Sequence, residues 1–181
     1  MDTKNLSDEI LQRARQIKVL VLDVDGVMTD GKLIFTNGGE EIKTFNVKDG
    51  HGIKSLQNIG LPVAIITGRC SDIVARRAKE LGIRHLIQGR EDKLTALEEL
   101  LASVDNVSEF QHIAYMGDDY PDLPVIRRVG FGTSPADGHW VVKQNSHWIS
   151  DFNGGGGAVR QLCDLLMLAQ GHFDRQLEPY L

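Results

Sequence analysis

The sequence predicts a doubly wound α/β fold: a mostly parallel, Rossmann-like sheet with helices on both faces. Three observations predict it. Apolar runs without alternation recur at residues 17–22, 61–66 and 111–116, the pattern of strands buried on both faces. Segments with apolar residues at helical spacing separate them. Each run stops at a polar, glycine-bearing turn: Asp23-Val-Asp25-Gly26, Thr67-Gly68-Arg69 and Gly117-Asp118-Asp119. Strands alternating with helices form crossover units in one sheet, and such sheets bind ligands outside the carboxyl ends of their strands.

The elements follow in order. Residues 5–16 read as a short amphipathic lead-in helix, with Ser7 as cap and Ile10, Leu11 and Ala14 on one face. The first strand ends at Asp23. Residues 32–36 and 41–45 are short strand-like runs around Asn37-Gly38, a hairpin signal, and they predict a β-hairpin flap over residues 32–45. Asp49 reads as the cap of a helix carrying Ile53, Leu56 and Ile59, ended by Gly60. A strand at 61–66 leads to Thr67, and Ser71 caps a helix carrying Val74, Ala78 and Leu81 that stops at Gly82. A weaker strand at 83–87, a helix at 92–102, the strand at 111–116, a short strand at 129–132 and an edge at 147–150 follow. The run Gly154–Gly157 reads as a flexible turn before a helix over 157–169. Beyond Gly171, residues 172–181 read as a polar tail with too few apolar residues to anchor itself.

At 181 residues the chain fits one domain spanning 1–181. No apolar run is long enough to span a bilayer, and the first residues lack the basic-then-apolar order of a signal peptide. Cys70 and Cys163 have no metal or redox spacing and read as free thiols in a reducing cytoplasm. The net charge of −5 argues against nucleic acid as a partner.

The chemistry gathers at the strand ends. Asp23 and Asp25 repel one another unless a cation or a shared proton compensates. Mg²⁺ suits them, because it takes hard oxygen ligands and holds only one or two protein carboxylates beside phosphate and water. Thr67, Lys93 and the carboxylates Asp118, Asp119 and Asp122 should share that sheet edge. Each has an ordinary reading on its own: an acidic turn, a helix-capping threonine, a solvated lysine. A hydroxyl, an ammonium and several carboxylates around a metal form the equipment of phosphoryl transfer, which needs positioning and charge neutralisation above all.

The order D-x-D-G-V-x-T-D-G, T-G-R, Lys, G-D-D-x-x-D resembles the haloacid dehalogenase superfamily of phosphohydrolases. Within it the chain is similar to the capless sugar-acid phosphatases, especially the 3-deoxy-D-manno-octulosonate 8-phosphate (KDO 8-phosphate) phosphatase family, through residues 45–50, 65–69, 153–155 and 157–160. The resemblance covers residues 17–171 and implies a Mg²⁺-dependent phosphatase of lipopolysaccharide precursor synthesis. It implies Asp23 as nucleophile and Asp25 as general acid and base. Mg²⁺ would be held by Asp23, the Asp25 carbonyl and Asp118. Thr67 and Lys93 would hold the phosphoryl group, with Asp119 and Asp122 orienting ligands from behind. The implied substrate is a small phosphorylated sugar acid. Its binding residues would be Asp25, Asn46, Lys48, Asp49, Gly50, Lys54, Arg69, Arg77 and Lys93. Neither a membrane nor nucleic acid is expected as a partner. No cap domain fits between the motifs, so selectivity would come from a neighbouring subunit of a homotetramer whose hairpins meet, with the C-terminal tail as a lid in trans. Gly156 stands where the family usually has an arginine, which leaves a nine-carbon ulosonate phosphate as an alternative substrate; a phosphoryl-accepting regulatory domain, which uses an acidic pair, a threonine and a lysine on a similar sheet, is the more distant alternative.

Overall fold

A computed structural model of the chain describes residues 6–104, 107 and 109–181. Its main sheet has six strands: β1 (Val19–Leu22), β4 (Val63–Ile66), β5 (His85–Ile87), β6 (Ile113–Met116), β7 (Phe131–Ser134) and β8 (Trp148–Ile149). They lie in the order β5-β4-β1-β6-β7-β8, and every pairing is parallel. β1 is central, flanked by β4 and β6, so its unalternating Val-Leu-Val-Leu is buried on both faces. Leu20 and Leu22 point into one apolar layer, with α1 (Asp8–Arg15), α2 (Val47–Asn58), α3 (Asp72–Leu81) and α7 (Ala158–Ala169). Val19 and Val21 point into the other, with α4 (Lys93–Leu101), α5 (Leu123–Ile126) and α6 (Trp140–Asn145).

The hairpin is present but short. β2 (Ile34–Phe35) and β3 (Glu41–Ile42) pair antiparallel outside the main sheet. Leu33, Ile34, Phe35 and Ile42 are exposed, whereas the Lys43 side chain is buried.

Several local expectations change. The cap of α2 is Asn46, whose Oδ1 accepts the N–H of Lys48; Asp49 lies inside the first turn. Ser71 occupies the cap position of α3, but its hydroxyl donates to Glu41 instead of capping. The strand expected at 129–132 begins at Phe131, because Gly130 is held by a backbone bond to Phe110. Helices α5 and α6 carry too few residues for a periodic pattern to show. The glycine run is a packed brace: the Gly155 N–H bonds to the Val27 carbonyl, and a Cβ on Gly154 would sit 1.8 Å from the Gly26 oxygen. The tail is not free either. It forms α8 (Phe173–Leu177), with Phe173 packed against the chain's own core and Tyr180 edge-on to His51. Residues 1–5 of the lead-in lie outside the described residues.

Candidate active site

The register of the central strands assembles the site. Leu22 pairs with Ile65 on one side and Met116 on the other, so Asp23, one residue on, and Thr67 and Asp118, two residues on, emerge along one edge. Gly26 turns the chain away at φ 90°, and its missing Cβ leaves room for the Asp118 carboxylate, which would otherwise lie 2.1 Å away.

Asp23 is 5% exposed. Its Oδ1 lies 2.9 Å from Lys93 Nζ, and that ammonium donates to Asp122 Oδ1 at 2.6 Å. The Tyr115 hydroxyl donates to the same Asp122 oxygen at 2.5 Å, and Asp122 Oδ2 accepts the N–H groups of Asp118 and Asp119 at 2.9 and 3.2 Å. Asp122 thus has four donors and little acceptor capacity left. It fixes Lys93 and the turn that carries Asp118, as expected for a residue that orients from behind. Asp119 does otherwise. It is exposed, and its carboxylate bonds the N–H of Tyr120 with no hydrogen bond to Lys93.

Carboxylate oxygens of Asp23, Asp118 and Asp122 all come within 4.8 Å of one another. Burial, and then the charge of Asp122, pushes the Asp23 carboxyl up to about 7 despite Lys93. Burial followed by Asp23 and Asp122 pushes Asp118 up to about 8. Burial alone would lower Lys93, but the two aspartates outweigh it and the net shift is upward. Two buried carboxylates and the half-buried Asp118 facing one ammonium are short of positive charge. The Asp118 side chain makes no hydrogen bond among the described residues, and Asp23 keeps an oxygen free of Lys93. Those hard oxygens fit a divalent cation such as Mg²⁺.

Thr67 is buried at the end of β4, and its backbone bonds Ile87 and Arg90. Its hydroxyl caps no helix and has no protein partner among the described residues. Asp25 lies two residues beyond Asp23 and is held from outside the sheet. Lys43 Nζ bonds its Oδ1, and Arg69 Nε lies 3.8 Å from its Oδ2. Arg69 also pairs with Glu41 at 3.1 Å. Lys43 and Glu41 were not among the residues that the sequence singles out. The available signal was alternation: Glu41, Lys43 and Phe45 face inward while Ile42 and Thr44 face out.

The other residues expected to bind substrate have the following places and partners in the protein itself. Lys54 lines a cleft with Pro62, Val63 and His85, at the amino ends of β4 and β5 and so across the sheet from Asp23. Two helical turns separate it from the site end of α2. Asn46 and Asp49 hold the glycine run and α7: Asn46 Nδ2 donates to the Gly155 carbonyl at 3.3 Å, and Asp49 Oδ1 accepts the Arg160 N–H at 2.8 Å. Gly50 is buried where a Cβ would meet Arg77 Nη2 at 2.4 Å. Arg77 stacks over Phe45, 5.7 Å from the ring centre, and its Nη1 lies 3.6 Å from Glu80. Lys48 is exposed on the first turn of α2.

A buried carboxylate after the central strand, a buried lysine and an acidic turn after its neighbour β6 are the arrangement of a haloacid dehalogenase-type phosphohydrolase. A Legionella pneumophila structure assigned to that superfamily, subfamily III A, superposes with a TM-score of 0.91 at 40% identity, covering 96% of this chain and 94% of that one. Within the superfamily, the chain belongs to the 3-deoxy-D-manno-octulosonate 8-phosphate phosphatase family. The Yersinia pestis member KdsC is 47% identical over 165 residues, 91% of this chain and 87% of its own. The Moraxella catarrhalis enzyme, solved with magnesium ion, phosphate ion and KDO, superposes with a TM-score of 0.94 at 45% identity, covering 97% of this chain and all of that one. No family model matches the chain.

Proposed function

We propose that this chain is a Mg²⁺-dependent phosphomonoesterase that releases phosphate from KDO 8-phosphate. The observation that carries the reading is the buried Asp23, held by Lys93 beside Asp118, in a chain this similar to an enzyme solved with magnesium, phosphate and KDO.

Asp23 attacks phosphorus with its free oxygen, forming an aspartyl-phosphate while the bond to the sugar oxygen breaks. Asp25 gives its proton to that oxygen and then takes one from the water that releases phosphate. Lys93 spends two of its donors on Asp23 and Asp122, which leaves a third for a phosphoryl oxygen. Thr67 offers its unpartnered hydroxyl to the same group. Bound by Asp23, Asp118 and the Asp25 carbonyl, Mg²⁺ would neutralise the charge that develops on the transferring group. Arg69 is 47% exposed and reaches the substrate carboxylate once it leaves Glu41.

The eight-carbon sugar acid is preferred to a nine-carbon one because the similar proteins carry that name. Assembly as a homotetramer rests on the exposed Leu33, Ile34, Phe35 and Ile42 of the hairpin, an apolar face that other hairpins could cover. A cytoplasmic location rests on the two free thiols; among the described residues, no helix is long and apolar enough to cross a membrane.

A phosphate-release assay over a panel of phosphorylated sugar acids tests the reading. KDO 8-phosphate should be turned over with the highest kcat/KM, and EDTA should stop the reaction until Mg²⁺ is restored. A higher kcat/KM for a nine-carbon ulosonate phosphate would overturn the substrate, and full activity in EDTA would overturn the metal.

A further inference from the structure

We propose that Lys43 is a positioning residue for catalysis: carried in by the hairpin, it fixes the Asp25 carboxylate at the leaving-group oxygen. The inference rests on the general-acid role read for Asp25 above.

The burial of Lys43 is the first observation. Its side chain is 1% exposed, although it stands on a two-stranded flap whose other face is open to water. An ammonium withdrawn from water loses its hydration, and carboxylates must meet it to compensate. Two do: Asp25, by a direct ion pair, and Glu41, at 3.4 Å.

The second observation is what Asp25 lacks. Asp23 is held through Lys93 and Asp122, which belong to the sheet edge and its helices. Asp25 has no such support. Among the described residues, its side-chain partners are Lys43 and Arg69 alone. Arg69 is half exposed, 3.8 Å away and shared with Glu41, so it is a loose restraint. Lys43 cannot swing out without exposing the buried pair. A further bond ties the flap to the body: Ser71, at the start of α3, donates to Glu41 Oε2 at 2.8 Å. The chain of contacts Ser71–Glu41–Lys43–Asp25 therefore sets the acid relative to the sheet. A general acid must lie within hydrogen-bond reach of the oxygen that it protonates, and a misplacement of about 1 Å can cost about 10²-fold in rate.

Leaving groups separate this role from a structural or a substrate-binding one. A sugar alkoxide departs only with a proton, whereas p-nitrophenolate departs without one. The test is the single-turnover rate of phosphoenzyme formation from KDO 8-phosphate and from p-nitrophenyl phosphate. Lys43→Met should slow the sugar phosphate by about 10²-fold and the nitrophenyl ester by no more than roughly threefold. Lys43→Arg, which keeps the cation, should recover most of the sugar-phosphate rate. Lys43→Gln reads the same ratio should the methionine variant fail to fold. Equal losses on both esters, or a raised KM with unchanged rates, would overturn the proposal, because they describe a damaged fold or a substrate-binding cation. Asp25→Asn keeps the two ideas apart. A selective loss there without one in the Lys43 variants sinks the positioning role alone; no selective loss there sinks the acid role itself.

Discussion

Asp23 and Asp25 are separated by one residue, yet the protein holds them in different ways. Asp23 is buried at the end of the central strand, and its neighbours Lys93 and Asp122 lie at the amino ends of α4 and α5, the helices that pack on the same sheet. Asp25 is partly exposed and is held by a flap outside that sheet. In the reaction proposed above, the difference teaches that a rigid edge suits the group that meets phosphorus in line. A separate, smaller element suits the group that must meet a substrate-dependent oxygen.

The largest effect should come from the sheet-edge carboxylate itself. Asp23→Asn cannot attack phosphorus, so kcat should fall on the order of 10⁴-fold or more with the fold intact. Residual activity within tenfold of the parent would break the contrast with Asp25.

The next effect concerns charge. Metal-free, the Asp23 and Asp118 carboxyls sit at about 7 and about 8, far above their ordinary range, so the folded state holds protons there that the unfolded state has released. The metal-free protein should therefore lose stability as pH rises from the ordinary carboxylate range through about 8. Mg²⁺ competes with those protons, so the rise in Tm on adding Mg²⁺ should be larger at about pH 8 than at about pH 6. Thermal melts with and without the ion check both signs. An equal rise at both pH values would mean that the ion binds elsewhere.

Asp122→Asn sharpens the contrast further. It loosens Lys93 and the Asp118 turn without touching the flap, and should cost about 10- to 100-fold in kcat or in Mg²⁺ affinity on both sugar and nitrophenyl esters. A loss on the sugar ester alone would assign Asp122 to the acid instead.

The smallest effect belongs to the outermost group. Arg69→Ala should raise KM for KDO 8-phosphate by about tenfold, the worth of one exposed charged contact, and leave p-nitrophenyl phosphate nearly unchanged. Equal changes on both esters would assign Arg69 to the phosphoryl group.

The two regions also differed in how legible they were. Lys93 was legible from its place at a helix start after a strand. The parallel sheet, though not its strand order, and the Asp23, Thr67 and Asp118 positions were legible in apolar runs that stop at polar residues, because a strand end places the residues after it with little freedom. The role of Asp122 behind Lys93 was legible for the same reason. The flap's contribution was not: Lys43 and Glu41 matter through partners 18 and 30 residues away in sequence, and no local pattern records such pairs. The packing of Asn46, Asp49 and Gly50 against Gly155, Arg160 and Arg77 was equally illegible, because those neighbours are distant in sequence. The place of Lys54 beside Pro62, Val63 and His85 was illegible too, because the helix carries it away from the residues adjacent in sequence.

The central claim is that the buried Asp23 carries the phosphoryl group. The direct measurement is acid quenching during turnover of phosphate-labelled substrate, followed by peptide mapping of the label by mass spectrometry. The label should lie on Asp23 and be absent from Asp23→Asn. Label on any other residue, or rapid turnover with no labelled enzyme at any quench time, would contradict the account.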